Sequence, residues 1–447
     1  MSRLPIAMGL GLAVMAACAD PDSPLRPDAA KVPSGPAVTA ADPSYGRQGA
    51  AGLPVTITGS GFDQGSRASW ERNGATDPKI AVVATQFVSS TQLIATIDIA
   101  SDANLALYDV AVTTSLGRKG IGTEKFEVST ALAIAGTESA FGANERGEFA
   151  GRVGPPGAFY WSDAAGLVTV GTPGRAFDIS EDGLTLTGFT GVCCQGAFVQ
   201  VNVNGAWNLA VLPRDPAGSA YSSARAIASD PATGAAVIVG GLEAYLASGG
   251  NFSQAKARPR LWLAGAGGWT RVELPSPGGT TDSPLFDVNA SGVAVGSIGG
   301  RAAVWTPNGG GGWAQAQIGP SGSQAWAVNA SGDLAVGFTS SKGGTEAQYW
   351  QGTGSTWAAF PLPGGCTEAR DVDDLGRILA NGCQNGNRRS PAIITPPYGA
   401  ADVRLLSGLG ATSGSVATAY RMSTRGSWVA GDAPNKGGTI GVRWPGN

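Results

Sequence analysis

Seven pairs of glycines constrain the fold of this chain more than any other feature. In each pair an apolar triplet separates the first glycine from the second, which comes four to six positions later. Glycine after a short polar run is typical of a tight turn, and a short apolar run is typical of a strand. The first glycines are Gly147, Gly183, Gly234, Gly292, Gly332, Gly376 and Gly426. The second glycines are Gly151, Gly188, Gly240, Gly296, Gly337, Gly382 and Gly431.

Each pair is followed by further short strands. An aromatic or apolar strand comes next, as in Ala303-Val304-Trp305, and a fourth often follows, as in Trp357 to Leu362. Units of four short strands with a mean period of roughly 46 residues are typical of β-propeller blades. One blade cannot bury both of its faces, whereas blades packed around an axis can. The sequence therefore predicts a seven-bladed β-propeller, with the repeated Trp and Phe side chains packed between blades.

The two ends of the repeat region predict how the ring closes. The last unit ends at Trp444 and lacks a fourth strand, whereas residues 131–135 form a strand before the first unit. We predict that this N-terminal strand pairs with residues 442–444, because closure removes an exposed sheet edge. Long apolar stripes with a 3.6-residue period are absent after the N-terminus, so the whole mature chain is predicted to be all-β.

The repeat units are similar to those of the extracellular HAF-repeat family of propeller-like proteins. That family has the pattern Asn-x-x-Gly-x-x-x-Gly followed by Ala-Phe-x-Trp. Ala158-Phe159 and Ala197-Phe198 keep the Ala-Phe pair, but Gly157 and Gly196 stand where the family has histidine. The resemblance covers about residues 135–447. It implies a propeller fold for these residues and no known catalytic activity.

Residues 37–129 have a different character. Leu53 to Phe62 alternates apolar and polar residues and then breaks at glycines, and Tyr108 to Val112 and Phe126 to Val128 are later strands. A segment of about 90 residues with several short strands is typical of an immunoglobulin-like sandwich. The order of these motifs resembles the IPT/TIG family. That resemblance implies a fold and a spacer role, with sugar or protein binding as the alternative.

The N-terminus predicts export and lipid attachment. Residues 1–18 contain Arg3, an apolar stretch too short to span a bilayer, and then Met15-Ala16-Ala17-Cys18. The last four resemble a bacterial lipobox, which implies lipidation of Cys18. The alternative is an ordinary secretory signal in which Cys18 is incidental. Residues 19–36 are a Pro- and Asp-rich flexible tether. We expect a lipid-anchored protein of the cell envelope, at the outer membrane or the cell surface.

Composition excludes several kinds of chemistry. The net charge is -3 and only 14% of residues are charged, with no basic stripe, so nucleic acid is not expected as a partner. The chain has no histidine, which removes the commonest metal ligand and the Ser-His-Asp and Cys-His catalytic arrangements. We assign no catalytic residue, no metal ligand and no cofactor. Carboxylate chemistry remains open because it needs only Asp and Glu.

The cysteines of the repeat region form two pairs in sequence. Cys366 and Cys383 flank the turn at Gly376, and in an exported protein they are predicted to form a disulfide, with metal binding as the weaker rival. Cys193 and Cys194 are adjacent. The sequence leaves open whether these two bond to each other, stay free or pair elsewhere.

One acidic run resembles part of a calcium loop. Asp371-Val372-Asp373-Asp374-Leu375-Gly376 places three carboxylates before a glycine, but no glutamate follows at the spacing that such a loop needs. Other units have Asn or Ser here. We therefore interpret this run as a turn.

Two functions from different classes remain. The first is a non-catalytic lipoprotein that binds or scaffolds a glycan or protein ligand and contacts the membrane through its lipid. The second is a carboxylate-based polysaccharide hydrolase or lyase with its site on a propeller face. Two carboxylates at glycosidase spacing in a deep pocket would favour the second.

Overall fold

The structure is a computed structural model that describes residues 35–447, except for residues 155–156, 172–173, 192–195, 246–254, 278–280, 354, 386–387, 410–416, 436–437 and 447. The described residues form β strands and one 3-10 turn at Ala400–Asp402. The all-β prediction is therefore confirmed for this part of the chain. In the same residues no helix has the length and hydropathy needed to cross a membrane. Cys18, Cys193 and Cys194 lie outside the described residues.

Residues 37–129 form two sheets around one core. The first sheet has the order β1-β3-β7-β6 and the second the order β2-β9-β8-β4-β5. Trp70 and Phe126, both fully buried, meet edge to face with ring centroids 5.6 Å apart. Phe62, which follows the strand Leu53–Ser60, lies in the same core. The strands are β1 Ala37–Asp42, β2 Tyr45–Arg47, β3 Leu53–Ser60, β4 Arg67–Arg72, β5 Ala75–Thr76, β6 Ile80–Ser89, β7 Gln92–Ile99, β8 Ala106–Thr113 and β9 Lys119–Ser129.

From Leu132 onward the described residues form seven antiparallel sheets of four strands each. In chain order we call them the first to the seventh sheet. The strands of the first three sheets are β11 Ser139–Ala143, β12 Phe149–Val153, β13 Gly157–Ser162 and β14 Gly166–Thr169; β15 Gly174–Ile179, β16 Thr185–Thr190, β17 Gly196–Val203 and β18 Ala206–Val211; β19 Tyr221–Ser229, β20 Ala236–Tyr245, β21 Lys256–Gly265 and β22 Gly268–Glu273.

The remaining four sheets continue this order along the chain, except that the seventh also takes a strand from before the first sheet. Their strands are β23 Leu285–Val288, β24 Ala294–Ile298, β25 Arg301–Pro307 and β26 Trp313–Ser321; β27 Ser323–Val328, β28 Leu334–Ser341, β29 Gly344–Thr353 and β30 Thr356–Pro361; β31 Glu368–Val372, β32 Ile378–Asn385, β33 Arg388–Ile394 and β34 Val403–Leu405; β35 Thr418–Met422, β36 Trp428–Asn435, β37 Gly438–Pro445 and β10 Leu132–Ala133.

The seven sheets pack in a circle. The second strand of each sheet contacts the first strand of the next, from β12 against β15 through to β32 against β35, and β36 of the seventh sheet contacts β11 of the first. Four-stranded sheets arranged around an axis in this way are a β-propeller. The first strand of each sheet is the inner strand, closest to the axis.

The predicted closing contact is present. β10 pairs antiparallel with β37, with Leu132 opposite Arg443 and Ala133 opposite Val442. The short strand thus supplies the fourth strand that the seventh sheet otherwise lacks, and it covers the free edge of β37. Closure ties the beginning of the propeller to its end.

The glycine pairs have two separate structural roles. All seven first glycines have positive φ, between 64° and 81°, in the turn between the inner strand and the second strand. Most second glycines face a β-bulge in the inner strand. A Cβ on Gly337, for example, would lie 1.9 Å from the carbonyl oxygen of Gln324. A side chain there would force the two strands apart.

Two of the second glycines, Gly240 and Gly382, do not occupy this bulge-facing place. In the third sheet Gly241, not Gly240, faces the bulge, and its Cβ would lie 2.1 Å from the carbonyl oxygen of Ser223. In the sixth sheet Ala380 occupies that place, and Gly382 lies in a second irregularity of β32 with φ 64°. That second irregularity is next to a disulfide, and it shifts the glycine spacing away from that of the other units.

The disulfide between Cys366 and Cys383 is present, with the two sulfur atoms 2.05 Å apart. Cys366 lies two residues before β31 and Cys383 lies within β32. The bond therefore joins the start of the inner strand to its neighbour, as the sequence predicts. Both residues are buried in the core between the fifth and sixth sheets.

Candidate functional site

A cavity of about 700 Å³ lies on the axis, at the end of the inner strands where they enter the glycine turns. Every one of the seven sheets contributes to its wall. The contributing inner-strand residues are Ala143, Ile179, Ile227, Val288, Val328, Val372 and Met422. Because these positions are equivalent in the seven sheets, the repeat itself builds the cavity.

Four of the charged side chains that line this cavity come from the inner strands just after their bulges, and we call them the Asp–Arg layer: Asp178, Asp287, Asp371 and Arg421. Each lies five positions before the turn glycine of its sheet, immediately after the bulge of the inner strand. The three aspartates are at most 6% exposed. The remaining three sheets have the small residues Gly142, Ala226 and Ala327 after the bulge, and among the four charged positions only those of the sixth and seventh sheets are adjacent.

The three aspartates connect neighbouring sheets through backbone hydrogen bonds. The Oδ2 of Asp178 accepts a hydrogen bond from the backbone N–H of Ile227 in the third sheet at 2.8 Å. Asp287 accepts from Val328 of the fifth sheet at 3.0 Å, and Asp371 from Met422 of the seventh sheet at 2.6 Å. Each carboxylate therefore links its own inner strand to the next one. Buried polar groups satisfied in this way stabilise a unique packing.

Arg421 supplies the positive charge of the layer. Its Nη2 lies 2.9 Å from Oδ1 of Asp287 and 3.2 Å from Oδ2 of Asp178. These two carboxylate oxygens are therefore within about 6 Å of each other, which is near the separation of paired glycosidase carboxylates. The guanidinium, however, already binds both oxygens.

Burial shifts the ionisation of all four groups. It raises the pKa of Asp178 to about 6 and that of Asp371 to about 7, and it also raises the pKa of Asp287. The positive charge of Arg421 opposes each of these shifts. Burial also acts to lower the pKa of Arg421, but the three carboxylates outweigh it and hold that pKa above its usual value. Three buried carboxyl groups thus share the positive charge of one guanidinium.

The mouth of the cavity carries more acidic side chains. Glu181 accepts hydrogen bonds from the backbone of Glu145 at 2.9 Å and of Thr424 at 3.4 Å, and Glu145 accepts one from Arg425 at 2.6 Å. These two glutamates tie together the turns of the seventh, first and second sheets. Asp374 and the side chain of Arg425 also line the cavity, and both residues are exposed.

The acidic run at 371–376 divides between two roles. Asp373 has the turn role that the sequence predicts, because its Oδ1 accepts the backbone N–H groups of Leu375 at 3.0 Å and Arg377 at 2.7 Å. Its Oδ2 also binds Nε of Arg377 at 2.7 Å. Asp371 and Asp374 line the cavity instead. Over the described part of the chain, no group of three His, Cys, Asp or Glu side chains is arranged as a metal would require.

Sequence reasoning assigned no role to the Asp–Arg layer. Asp371 was read only as part of a turn, and Asp178, Asp287 and Arg421 were not singled out. A signal does exist: a charged residue recurs five positions before the turn glycine in four of the seven units. Its meaning appears only once the sheets are known to form a circle.

No protein-family model matches the sequence, and no curated protein matches it. Among solved structures, the chain is similar to virginiamycin B lyase from Staphylococcus aureus, with 11% identity and a TM-score of 0.43 over 70% of this chain and 98% of that one. It is also similar to a gluconolactonase from Xanthomonas campestris, with 10% identity and a TM-score of 0.34 over 70% of this chain and 89% of that one. Similarity at this level does not extend to ligand or reaction.

Proposed function

We propose that this chain is a non-catalytic lipoprotein of the cell envelope that binds a neutral glycan in the axial cavity of a seven-bladed propeller. In this proposal residues 1–18 are the signal ending at Cys18 and residues 19–36 are a tether. Residues 37–129 are an IPT/TIG-type spacer, and residues 130–447 are a propeller of the HAF-repeat type. The lipid holds the spacer and propeller at the membrane.

The observation that carries the proposal is the cavity on the axis. Its volume of about 700 Å³ is in the usual range for small-ligand sites, and it is formed by all seven sheets. Buried carboxylates that already accept backbone hydrogen bonds favour a fixed framework over acid–base chemistry. The groups left to meet a ligand are at the mouth, where Asp374 and Arg425 are exposed.

Charge favours a neutral sugar in this cavity. Asp178, Asp287, Asp371, Glu145, Glu181, Asp230 and Asp374 face only Arg421 and Arg425 among the charged residues that line it. An acidic sugar would meet like charges there, which disfavours binding. Hydroxyl groups of a neutral sugar can donate to carboxylates and accept from a guanidinium.

Binding is tested with the full chain purified in detergent on an array of neutral and acidic glycans. We expect a neutral glycan to bind, and D374N to weaken it about tenfold, because one charge-assisted hydrogen bond is lost. The matched control is D102N, an exposed aspartate at the surface of residues 37–129 that pairs with Lys79. The proposal is wrong if no glycan binds the folded chain, or if D374N and D102N bind equally well.

Lipid attachment is tested by palmitate labelling and membrane fractionation of the wild type and of Cys18→Ser. We expect the wild type to take up label and to sediment with membranes, and the variant to do neither. An unlabelled wild type, or a variant that stays equally membrane-bound, contradicts the anchor.

A carboxylate-based polysaccharide hydrolase or lyase is the second candidate. The observation in its favour is the raised pKa of Asp178 and Asp371, since catalytic acids are tuned in this direction. Its test is the release of reducing or unsaturated ends from polysaccharides, with D178N and D371N as variants. Turnover that both variants abolish, while their thermal unfolding is unchanged, would favour the enzyme over the binding protein.

A further inference from the structure

Each inner strand contains a β-bulge at the same place, and the bulged residue has no partner on the second strand. In all seven sheets this residue is half-buried while the residue before it is buried. Bulges redirect side chains, and here they direct one residue per sheet toward the axis. We call these residues the axial ring: Phe141, Phe177, Arg225, Phe286, Trp326, Arg370 and Tyr420.

The members of the axial ring touch one another in an unbroken circle. Five are aromatic and two are arginines, so the circle consists of three ring–ring and four guanidinium–ring contacts. In order around the axis, the centroid or guanidinium distances are 5.7 Å for Phe141–Phe177, 5.6 Å for Phe177–Arg225, 5.5 Å for Arg225–Phe286, 5.4 Å for Phe286–Trp326, 3.8 Å for Trp326–Arg370, 5.6 Å for Arg370–Tyr420 and 4.9 Å for Tyr420–Phe141.

The axial ring is positively charged and lies farther from the cavity than the Asp–Arg layer does. Each ring residue comes one position earlier in its inner strand than the layer residue, on the side away from the turns. Arg175 adds a third guanidinium, 5.7 Å from the ring of Phe141 and 5.3 Å from that of Phe189. Three guanidiniums therefore lie at this end of the axis, with Glu368 beside Arg370 and Asp432 accepting the hydroxyl of Tyr420 at 2.8 Å.

Two polar groups in the axial ring lack strong partners. Among the described residues, the guanidinium of Arg370 has one ion-pair contact, to Glu368 at 3.5 Å, and makes no hydrogen bond. Its side chain is only 13% exposed. The indole N–H of Trp326 is buried and, within the same described residues, has no acceptor. A buried donor without an acceptor is costly, and an anion placed here would satisfy both groups.

We propose that the axial ring is a second binding site, for a small carboxylate carried on a six-membered ring. The carboxylate would accept hydrogen bonds from the guanidinium of Arg370 and the indole N–H of Trp326. The ring that carries it would pack against the aromatic side chains of the axial ring. Arginine suits a carboxylate because its planar donors match the two oxygens. Uronate sugars and aromatic acids share this chemistry.

The site is independent of the neutral-glycan site proposed above. It uses none of the residues at the mouth of the cavity, and it favours the charge that the cavity disfavours. Either proposal can therefore be disproved without affecting the other. The two are distinguished by variants at opposite ends of the axis.

The test measures binding of galacturonate, benzoate and neutral galactose to the full chain in detergent, by calorimetry. We expect at least one of the two acids to bind and galactose not to bind at this site. R370Q should weaken the bound acid about ten- to a hundredfold, because a charge-assisted bidentate contact is lost. R425Q, which removes an arginine at the cavity mouth, is the matched control and should leave acid binding unchanged.

Comparing the binding of the two acids also identifies the chemical class of the ligand. Galacturonate alone indicates an acidic sugar, and benzoate alone indicates an aromatic acid. R225Q, at the other arginine of the axial ring, replaces R370Q if the latter does not show the thermal unfolding of a folded chain. The proposal is overturned if neither acid binds, if galactose competes equally with the acids, or if R425Q weakens acid binding as much as the ring variant does.

Discussion

Arg370 and Asp371 are neighbours in β31, but their side chains compensate charge in different ways. Asp371 belongs to the Asp–Arg layer, where its oxygens accept the backbone N–H groups of Val372 at 3.0 Å and Met422 at 2.6 Å. Arg370 belongs to the axial ring, where its guanidinium lies 3.8 Å from the ring of Trp326. The Asp–Arg layer compensates its charges with hydrogen bonds and opposite charge, whereas the axial ring compensates its charges with aromatic faces.

The bulge is the physical reason for this difference. Without it, adjacent strand residues would point to opposite faces of the sheet in strict alternation. The extra residue breaks that alternation, so that the ring residue points to the axis and the next residue lies where it can reach the adjoining inner strand. The layer therefore holds sheets together, whereas the axial ring presents unsatisfied groups. A site for binding and a site for stability can thus lie one residue apart.

The largest effect that separates the two regions is expected from their arginines. R421M removes the one guanidinium that, among the described residues, contacts Asp178 and Asp287, and it leaves buried carboxylates without this counter-charge. We expect the free energy of unfolding to fall by about 3–5 kcal/mol. R370M should cost about 1 kcal/mol, because it loses cation–π contacts with Trp326 and Tyr420 and relieves an unsatisfied guanidinium.

Urea unfolding followed by tryptophan fluorescence measures both losses. The double variant R421M/D287N should recover part of the loss of R421M, since it also removes one uncompensated charge. Equal losses for R421M and R370M would show that the two regions compensate charge alike, and the comparison would fail.

The pH dependence of stability is the second way to test the comparison, because the Asp–Arg layer contains buried carboxyls with raised pKa values and the seven residues of the axial ring include no carboxyl. Asp178 has a folded pKa of about 6 and Asp371 of about 7, above the value of about 3.9 in an unfolded chain. The folded state therefore binds protons more tightly than the unfolded state. The stabilisation is complete below pH 4 and is lost as the pH rises through 6 and 7.

We expect the free energy of unfolding to fall by on the order of 2–4 kcal/mol between pH 5 and pH 8 from these groups. D371N is the control, because an amide does not titrate and retains an acceptor oxygen. The difference in stability between the wild type and D371N should shrink or reverse as the pH rises. A difference that is constant from pH 5 to pH 8 would mean that Asp371 is not protonated in the folded state.

Much of the fold could be predicted from sequence because its requirements are local. Gly292 has φ 81° in a turn, a conformation that favours glycine, and a Cβ on Gly296 would lie 2.1 Å from the carbonyl oxygen of Pro284. Such positions repeat in each unit and reveal the period. The closing strand was predictable for the same reason, since the last unit visibly lacks a strand.

The candidate sites could not be predicted because their contacts are not local. Asp287 and Arg421 are 134 positions apart, and only the circular packing of sheets brings them within 2.9 Å. The axial ring depends in addition on where each bulge falls. In the third sheet the inner strand and its turn are longer, so Arg225 lies nine positions before Gly234, whereas Phe286 lies six before Gly292. A fixed number of positions before the turn glycine would therefore not identify Arg225 as the equivalent of Phe286.

The smallest expected effect concerns the indole of Trp326, which separates aromatic packing from hydrogen bonding within the axial ring. W326L removes the stacking with Phe286 and the contact with Arg370, so the free energy of unfolding should fall by about 1–2 kcal/mol. W326F keeps an aromatic face and removes a buried N–H without an acceptor, so its cost should stay within about 0.5 kcal/mol. Urea unfolding of the two variants beside the wild type decides between these outcomes. If W326F were as costly as W326L, the indole N–H would be contributing a hydrogen bond in the ligand-free chain. The indole N–H would then be satisfied within the protein, as the carboxylates of the Asp–Arg layer are. Of the two proposed donors to a bound carboxylate, only the guanidinium of Arg370 would remain.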